Sequence, residues 1–506
     1  MQEFYIKIVA SEIVTEEISL FHKIKEAGSH SIIYGLGSVL QTLTGFVLIP
    51  LYTRYYTTDI YGVLSLVTIS GTLAGAIFYL GASSALARSY YDYDNPEERK
   101  RVVSTSLYIT LFGAVVQVIV GFSFGGLLSE WLFKSSAYSL HIALMFVSSA
   151  FAFINTLFYM LLRFQRLSKQ VVTLNIVSLL LSSLLITLFL VWAKLGVLAP
   201  VLGGLLSQVI VCGVIFLLVR KNFVLGYSVK ELKIQIPFGL QSVVIALAYY
   251  SFDWLNRFFI NKYCSLSEVG IYSLGYQIGM TINILMIIPF CQIWAPMRMQ
   301  YRNDLNADKF YKKILTYYFM VGLIVTASIS VFAREIITLL AGHKEYVDAF
   351  RVVPFVMLGM LIYGAVNIID SGIYFSRKVI YHAYIFWFAS LVSLILNYLL
   401  VPRFGYLAAA VVMLVCYCTV ATLVFLISNR LYTIPYEGKR LAALMGLSIA
   451  VIVAGSMVSS PALAFVIISK LCLIALMCCV IYTLILYKEE KDKISLIIGR
   501  IRNGKI

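Results

Sequence analysis

Charge is what this chain has least of. Only 13% of its 506 residues are Asp, Glu, Lys or Arg, while 61% are hydrophobic and the mean hydropathy is +0.90. A folded globule needs far more charge to cover its surface, so a water-soluble class is excluded. Acid is scarcer still, with 24 Asp and Glu against 40 Lys and Arg, a net charge of +16. In a soluble chain that excess would point to nucleic acid; in a membrane chain basic residues gather in cytoplasmic loops, and topology accounts for them. No nucleic-acid partner is therefore expected. The eight cysteines show no CxxC or metal-ligand spacing, so neither a disulfide framework nor a metal is implied. Seven of them, Cys212, Cys291, Cys416, Cys418, Cys472, Cys478 and Cys479, lie inside apolar runs, where a thiol acts as a small buried hydrophobe.

What is present is a series of apolar runs, mostly about 20 residues long, which suits helices crossing a hydrocarbon core of roughly 30 Å. Barrel strands would be shorter and alternating. About 14 spans are expected. The first six lie near 29–51, 60–82, 102–127, 138–162, 170–192 and 196–219. Six more lie near 237–261, 270–295, 312–333, 348–374, 379–401 and 405–427, with a last pair near 441–458 and 463–487. Residues 1–28 mix Lys7, Lys23 and Lys25 with Glu12, Glu16 and Glu17 and lack a continuous apolar core. They read as a cytoplasmic segment that forms a helix on the inner membrane surface, not as a cleaved signal.

An even span count puts both termini on one side. Taking that side as cytoplasmic assigns it roughly 30 of the 40 Lys and Arg residues, against about 9 for the other. These clusters include Arg88 with Arg99 to Arg101, Arg163 to Lys169, Arg220 to Lys233, Arg298 to Lys313 and the tail from Lys488. Both termini are expected in the cytoplasm.

The stretch Ile49 to Leu66, IPLYTRYYTTDIYGVLSL, has a partial copy 208 positions later. Lys262-Tyr263-Cys264-Ser265 answers Arg54-Tyr55-Tyr56-Thr57, and Gly270-Ile271-Tyr272-Ser273-Leu274 answers Gly62-Val63-Leu64-Ser65-Leu66. Six spans separate the copies, so they share an orientation and imply parallel repeats about an axis near the membrane normal. The expected fold is an all-α integral membrane protein with two pseudo-symmetric six-helix lobes, 29–221 and 222–429. Two C-terminal helices and a cytoplasmic tail follow in 430–506.

Pro50-Leu51-Tyr52-Thr53-Arg54-Tyr55 and Tyr61-Gly62, in this span-and-loop setting, make the chain resemble the polysaccharide transporter family. That family comprises the O-antigen and capsule flippases of the multidrug/oligosaccharidyl-lipid/polysaccharide exporter superfamily. Arg88-Ser89-Tyr90-Tyr91-Asp92 before Glu97 to Arg101 is similar to the family's first cytoplasmic loop, and Trp294-Ala295-Pro296 to the end of its span 8. In span 7 the family commonly has an Asp-Arg pair before the Gly-x-Tyr turn. Here Asn256 and Arg257 stand at those positions, so the arginine is kept and the acid is not, while Asp253 lies one turn earlier.

Asp253 and Arg257 share a helix face at i, i+4 and can pair. By a rise of 1.5 Å per residue Arg257 sits roughly 12 Å, and Asp253 roughly 6 Å, outward of the expected midplane. Such charges persist at membrane depth when they face water, each other or a substrate. Arg257 is then either a phosphate-binding group in a cavity between lobes, which its planar fork suits, or half of a structural pair with Asp253. Arg54 and Lys262, at matching outer ends of spans 1 and 7, form a basic rim or snorkelling anchors. Lys470 inside span 14 and Asp370 in span 10 are further candidates. Asn155, Asn175, Asn283, Asn367 and Asn397 join helices by hydrogen bonds or line a sugar path. Gly35, Gly37, Gly45, Pro50, Pro289 and Pro296 are hinge or packing positions.

The substrate-binding set is accordingly Arg257, Asp253, Asn256, Arg54, Lys262 and Lys470. The resemblance implies a flippase of the bacterial inner membrane that moves undecaprenyl-pyrophosphate-linked oligosaccharide by alternating access. Its partners would be the lipid-linked substrate, membrane lipid and polysaccharide polymerase or export machinery, and it is expected to be a monomer. No cofactor is expected, although coupling to a sodium ion or proton gradient, the membrane potential or mass action fits equally. Rival readings are a drug:cation antiporter of the same superfamily and a lipid II-type flippase. A glycan polymerase or glycosyltransferase is disfavoured, because the longest outside segment, Ala333 to Val347, is short and carries no acidic catalytic motif.

Overall fold

A computed structural model describes residues 45–301, 307–376, 378–458, 462–487 and 490–491. The expected surface segment 1–28, span 1 up to residue 44 with Gly35 and Gly37, Arg302, and most of the basic tail lie outside the described residues. Every element among the described residues is helical. In chain order they are α1 (Ile49–Tyr55), α2 (Thr58–Phe78), α3 (Ala82–Ser89), α4 (Pro96–Phe133), α5 (Ser139–Phe164), α6 (Ser168–Thr187) and α7 (Leu198–Val219). Next come α8 (Val229–Tyr263), α9 (Leu266–Gly279), α10 (Ile288–Gln300), α11 (Ala307–Val331), α12 (Ala333–Leu340) and α13 (Val353–Ile369). Finally come α14 (Ser371–Phe375), α15 (Ile380–Leu431), α16 (Gly438–Met457) and α17 (Leu463–Val480).

Twelve helical stretches among the described residues are long and apolar enough to cross a membrane. A count of 14 is compatible with them, because α15 is 52 residues long and holds two expected spans. Pro402 removes a backbone donor inside it, and Gly405 turns to φ 64°, ψ −153°. The Tyr406 amide at this break donates to Glu268 Oε2 at 3.1 Å. Glu268 is itself fixed at the start of α9, where the Ser265 hydroxyl caps its backbone N–H at 3.1 Å.

The described chain forms two compact units. One contains 45–48, Ser70–Leu247 and Ile284–Gln300; the other contains Ile49–Ile69, Ala248–Asn283 and the chain from Tyr301. In the first unit α4 begins with Pro96 after an Asn95 cap and carries Glu97 and Glu98 in its first turn. Small residues then let helices touch: a Cβ at Gly113 would meet the Phe78 carbonyl, and one at Gly121 the Phe146 side chain. The basic link after α7 is held to α4 by hydroxyls, with the Val224 amide donating to Ser104 Oγ at 2.9 Å and the Ser228 amide to Thr105 Oγ1 at 3.0 Å. Ser106 then donates to Gln235 Oε1 at 2.7 Å, and the Tyr93 hydroxyl to Glu231 Oε1 at 2.6 Å. The bond to the Glu231 carboxylate pushes the Tyr93 hydroxyl above its ordinary pKa.

In the second unit the two repeat copies pack on each other. A Cβ on Gly62 would strike the Leu266 carbonyl and the Gly270 amide, and one on Gly270 would strike the Thr58 carbonyl and the Gly62 amide. Ser65 and Ser273, 208 residues apart, share a hydrogen bond of 2.7 Å. Thr58 meets Ser267, one residue past its own equivalent, at 2.7 Å. Gly62 with Gly270 and Ser65 with Ser273 are equivalents in contact, the signature of a contact on a two-fold axis. The segment after α12 closes over one end of this contact: Tyr346 donates to the carbonyls of Tyr56 (3.1 Å) and Thr57 (3.0 Å), and Thr53 to that of Leu340 (3.0 Å).

Because backbone lies against each glycine, Gly62→Ala or Gly270→Ala is expected to destabilise the protein by about 1–3 kcal/mol, the usual cost of overpacking. Gly446→Ala, which has open space, serves as the control. Thermal unfolding in detergent or nanodiscs measures the difference.

Candidate functional site

The polar centre of the second unit is built on α8. Asp253, Asn256 and Arg257 occupy about one turn of it, facing α2, α9 and α15. Arg257 is 6% exposed. Its Nε donates to Ser65 Oγ at 2.8 Å and to Ser273 Oγ at 3.2 Å, so one N–H is shared by the serine of each repeat copy. Nη1 donates to the Asp253 backbone carbonyl at 3.1 Å. The guanidinium lies over the Tyr276 ring, 4.6 Å from its centroid, and near Tyr272 at 5.5 Å. Nη2 holds no protein partner among the described residues, so part of the donor fork is unspent.

Asp253 and Arg257 are brought together, but not as a direct ion pair. Tyr276 stands between them: its hydroxyl donates to Asp253 Oδ2 at 2.6 Å while its ring carries the guanidinium. Asp253 Oδ1 is buried without a hydrogen-bond partner among the described residues. One turn before it, Tyr249 meets Tyr363 at 5.4 Å and Phe386 at 6.4 Å, and Tyr363 meets Tyr417 at 5.1 Å, so an aromatic wall flanks the carboxylate.

Asn256 is fully buried and serves the packing of helices. Its Nδ2 donates to the Tyr272 hydroxyl at 3.1 Å, and its Oδ1 accepts from Asn397 Nδ2 at 2.8 Å, tying α8 to α9 and α15. Arg54 and Lys262 are both exposed, and neither forms an ion pair among the described residues. Lys262 lies 5.3 Å from the Tyr263 ring. Lys470, 3% exposed, commits its ammonium group to Glu335 of α12 at 2.7 and 2.8 Å. Asp370 lies 3.5 Å from His382 Nε2.

Ser65, Ser273, Tyr272, Tyr276 and Glu335 are the partners that residue chemistry alone did not single out. The serines stood at matching points of the repeat, and Tyr272 and Tyr276 at i, i+4 on one helix face. Those signals could have raised four of them; Glu335 had none.

A guanidinium with unspent donors beside a carboxylate with an unpartnered oxygen, held within apolar helices, can take up an anionic group and a proton or cation at adjacent points. Its apolar helices define a multi-pass membrane protein. Residues 28–302 match the family described as "Polysaccharide biosynthesis protein". The match covers more than half of the chain, and the protein belongs to this family. No curated protein sequence matches it. Among solved structures it is similar to the lipid II flippase MurJ in an inward closed conformation, with a TM-score of 0.69, 14% identity, and coverage of 89% of this chain and 99% of that one. It is also similar to an inward-facing multidrug resistance MATE family transporter of the MOP superfamily, at 0.62 and 18%, covering 80% and 96%. A MOP superfamily transporter from Pyrococcus furiosus gives 0.51 and 18%, covering 83% and 96%. At these identities the likeness is one of fold.

Tyr276→Phe removes the donor to Asp253 and leaves that carboxylate without side-chain support. A loss of about 1–3 kcal/mol in unfolding stability is expected. Lys470→Leu is expected to cost about 3–5 kcal/mol by stranding Glu335, and the double variant with Glu335→Leu to recover most of it, as read by thermal unfolding.

Proposed function

We propose that this protein is a flippase that carries undecaprenyl-pyrophosphate-linked oligosaccharide repeat units from the cytoplasmic to the periplasmic leaflet, for surface polysaccharide such as O-antigen or capsule. Membership of a polysaccharide biosynthesis family by a chain of twelve or more spans is the observation that carries this reading. The MurJ structure it resembles in fold is named as a lipid II flippase, which supports a lipid-linked cargo. The isoprenoid tail stays in lipid while the pyrophosphate and sugars cross within the protein. Such a head needs a cation that is not fully spent on the fold, and the Nη2 end of Arg257 meets that need.

In this reading the repeats act as the lobes 29–221 and 222–429 and exchange access between the two leaflets. Asp253, through its unpartnered oxygen, takes a proton or sodium ion that couples the cycle. Arg54 and Lys262 attract the anionic headgroup at the outer rim, and Lys470 supports the C-terminal helices. The chain works as a monomer in the bacterial inner membrane with both termini cytoplasmic, beside a polysaccharide polymerase or export apparatus, and is not itself an enzyme.

Deleting the gene is expected to abolish a surface polysaccharide while lipid-linked repeat units accumulate inside the cell. Drug export without loss of polysaccharide would instead mark an antiporter. Complementation with Arg257→Ala is expected to lower transport about ten- to hundredfold, the range for a lost charged hydrogen bond, and Arg257→Lys to restore part of it. Full polysaccharide display with Arg257→Ala would remove the residue from the pathway.

A further inference from the structure

A second polar feature lies in the first unit and takes no part in the Arg257 cluster. Between α5, α6 and α7 there is a pocket of about 100 Å³, lined by Phe153, Asn155, Thr156, Tyr159 and Gln208 among others. Gln208 is near the centre of the 22-residue α7, roughly 15 Å from either end at 1.5 Å per residue. At that depth hydrocarbon offers no partner, so polar groups must satisfy one another or face something polar.

They do not all satisfy one another. Asn155 is 2% exposed and Tyr159 8%. Asn155 Nδ2 donates to the Gln208 backbone carbonyl at 3.0 Å and to its Oε1 at 2.7 Å. A backbone carbonyl can only accept, so the orientation of the Asn155 amide is set, and its Oδ1 is left buried with no donor. The Tyr159 hydroxyl is also buried and has no partner among the described residues. Thr156 gives its proton to the Ala152 carbonyl at 2.9 Å and keeps its lone pairs. The pocket thus offers oxygens that want donors, beside the amide N–H groups of Gln208 and Asn175.

Among the described residues no charged side chain lines it. An anion would face acceptor oxygens without a cation, and a bare cation would lack a carboxylate to offset its desolvation. A neutral group with several hydroxyls fits, since each hydroxyl both donates and accepts. The volume admits several waters, each claiming about 30 Å³, or the hydroxyl-bearing edge of one sugar ring. The Phe153 ring, tilted against Tyr79 with 4.8 Å between centroids, supplies an apolar face for the ring carbons.

We propose that this pocket is a subsite for an uncharged, hydroxyl-bearing sugar of the carried glycan. The inference rests on the flippase reading. It separates two tasks that the substrate head imposes: the pyrophosphate is held by Arg257 and a neutral sugar by Asn155 and Tyr159.

Tyr159→Phe is the discriminating variant, because its hydroxyl holds no protein bond and its loss leaves the fold intact. The full-length protein in nanodiscs is titrated with the lipid-linked repeat unit extracted from the deletion strain, and with undecaprenyl pyrophosphate bearing no sugar. Wild type is expected to bind the sugar-bearing lipid more tightly. Tyr159→Phe and Asn155→Leu are each expected to weaken that binding about three- to tenfold while leaving the sugarless lipid unchanged. Free monosaccharide that competes with the repeat unit in wild type, and less in Tyr159→Phe, would show that the sugar alone is recognised. If wild type prefers the sugar-bearing lipid and both variants keep that preference, the pocket holds only water and the proposal fails while the flippase reading stands. If wild type binds neither lipid, the flippase reading fails and this inference with it.

Discussion

Inside a hydrocarbon slab no solvent competes for a hydrogen bond, and almost every feature of this protein follows from that. Backbone groups are satisfied by helix formation, which is why the described residues hold helices throughout. Side chains obey the same rule less completely. Asn397 donates to Asn256 and Asn256 to Tyr272, and Lys470 with Glu335 cancels its own charge. Among the exceptions, those that border the two sites are Nη2 of Arg257, Oδ1 of Asp253, Oδ1 of Asn155 and the Tyr159 hydroxyl.

The two sets differ in chemistry. Arg257 and Asp253, on α8 in the second unit, are charged; Asn155 and Tyr159, on α5 in the first unit, are neutral. Under the function proposed above, the charged set suits an anionic headgroup and the neutral set a hydroxylated sugar.

Much of this is legible in the amino-acid sequence. Runs of about 20 apolar residues placed the spans, and the separation of 379–401 from 405–427 is the break at Pro402 and Gly405 in α15. Arg257, Asp253 and Asn256 stood out as polar residues in an apolar run. What could not be read was what lies across from them. Periodicity says which face of a helix a residue occupies, not which helix it faces, so Tyr276 as the bridge between Asp253 and Arg257 was invisible. Lys470 looked solitary because Glu335 belongs to a segment expected outside the membrane. The repeat announced two lobes; it did not announce that its two copies would lie face to face at Gly62 and Gly270.

That face-to-face contact limits how alike the two copies can be. Residue 49 is the repeat mate of Arg257, and there the chain has Ile49, fully buried. On a near two-fold axis, whatever one copy sends to the Ser65–Ser273 pair, the other would send to the same pair from the opposite side. Two guanidiniums would then compete for one pair of hydroxyls and repel each other in a medium that screens poorly. The axis has room for one cation, so the symmetry that builds the contact also requires the copies to differ at this residue.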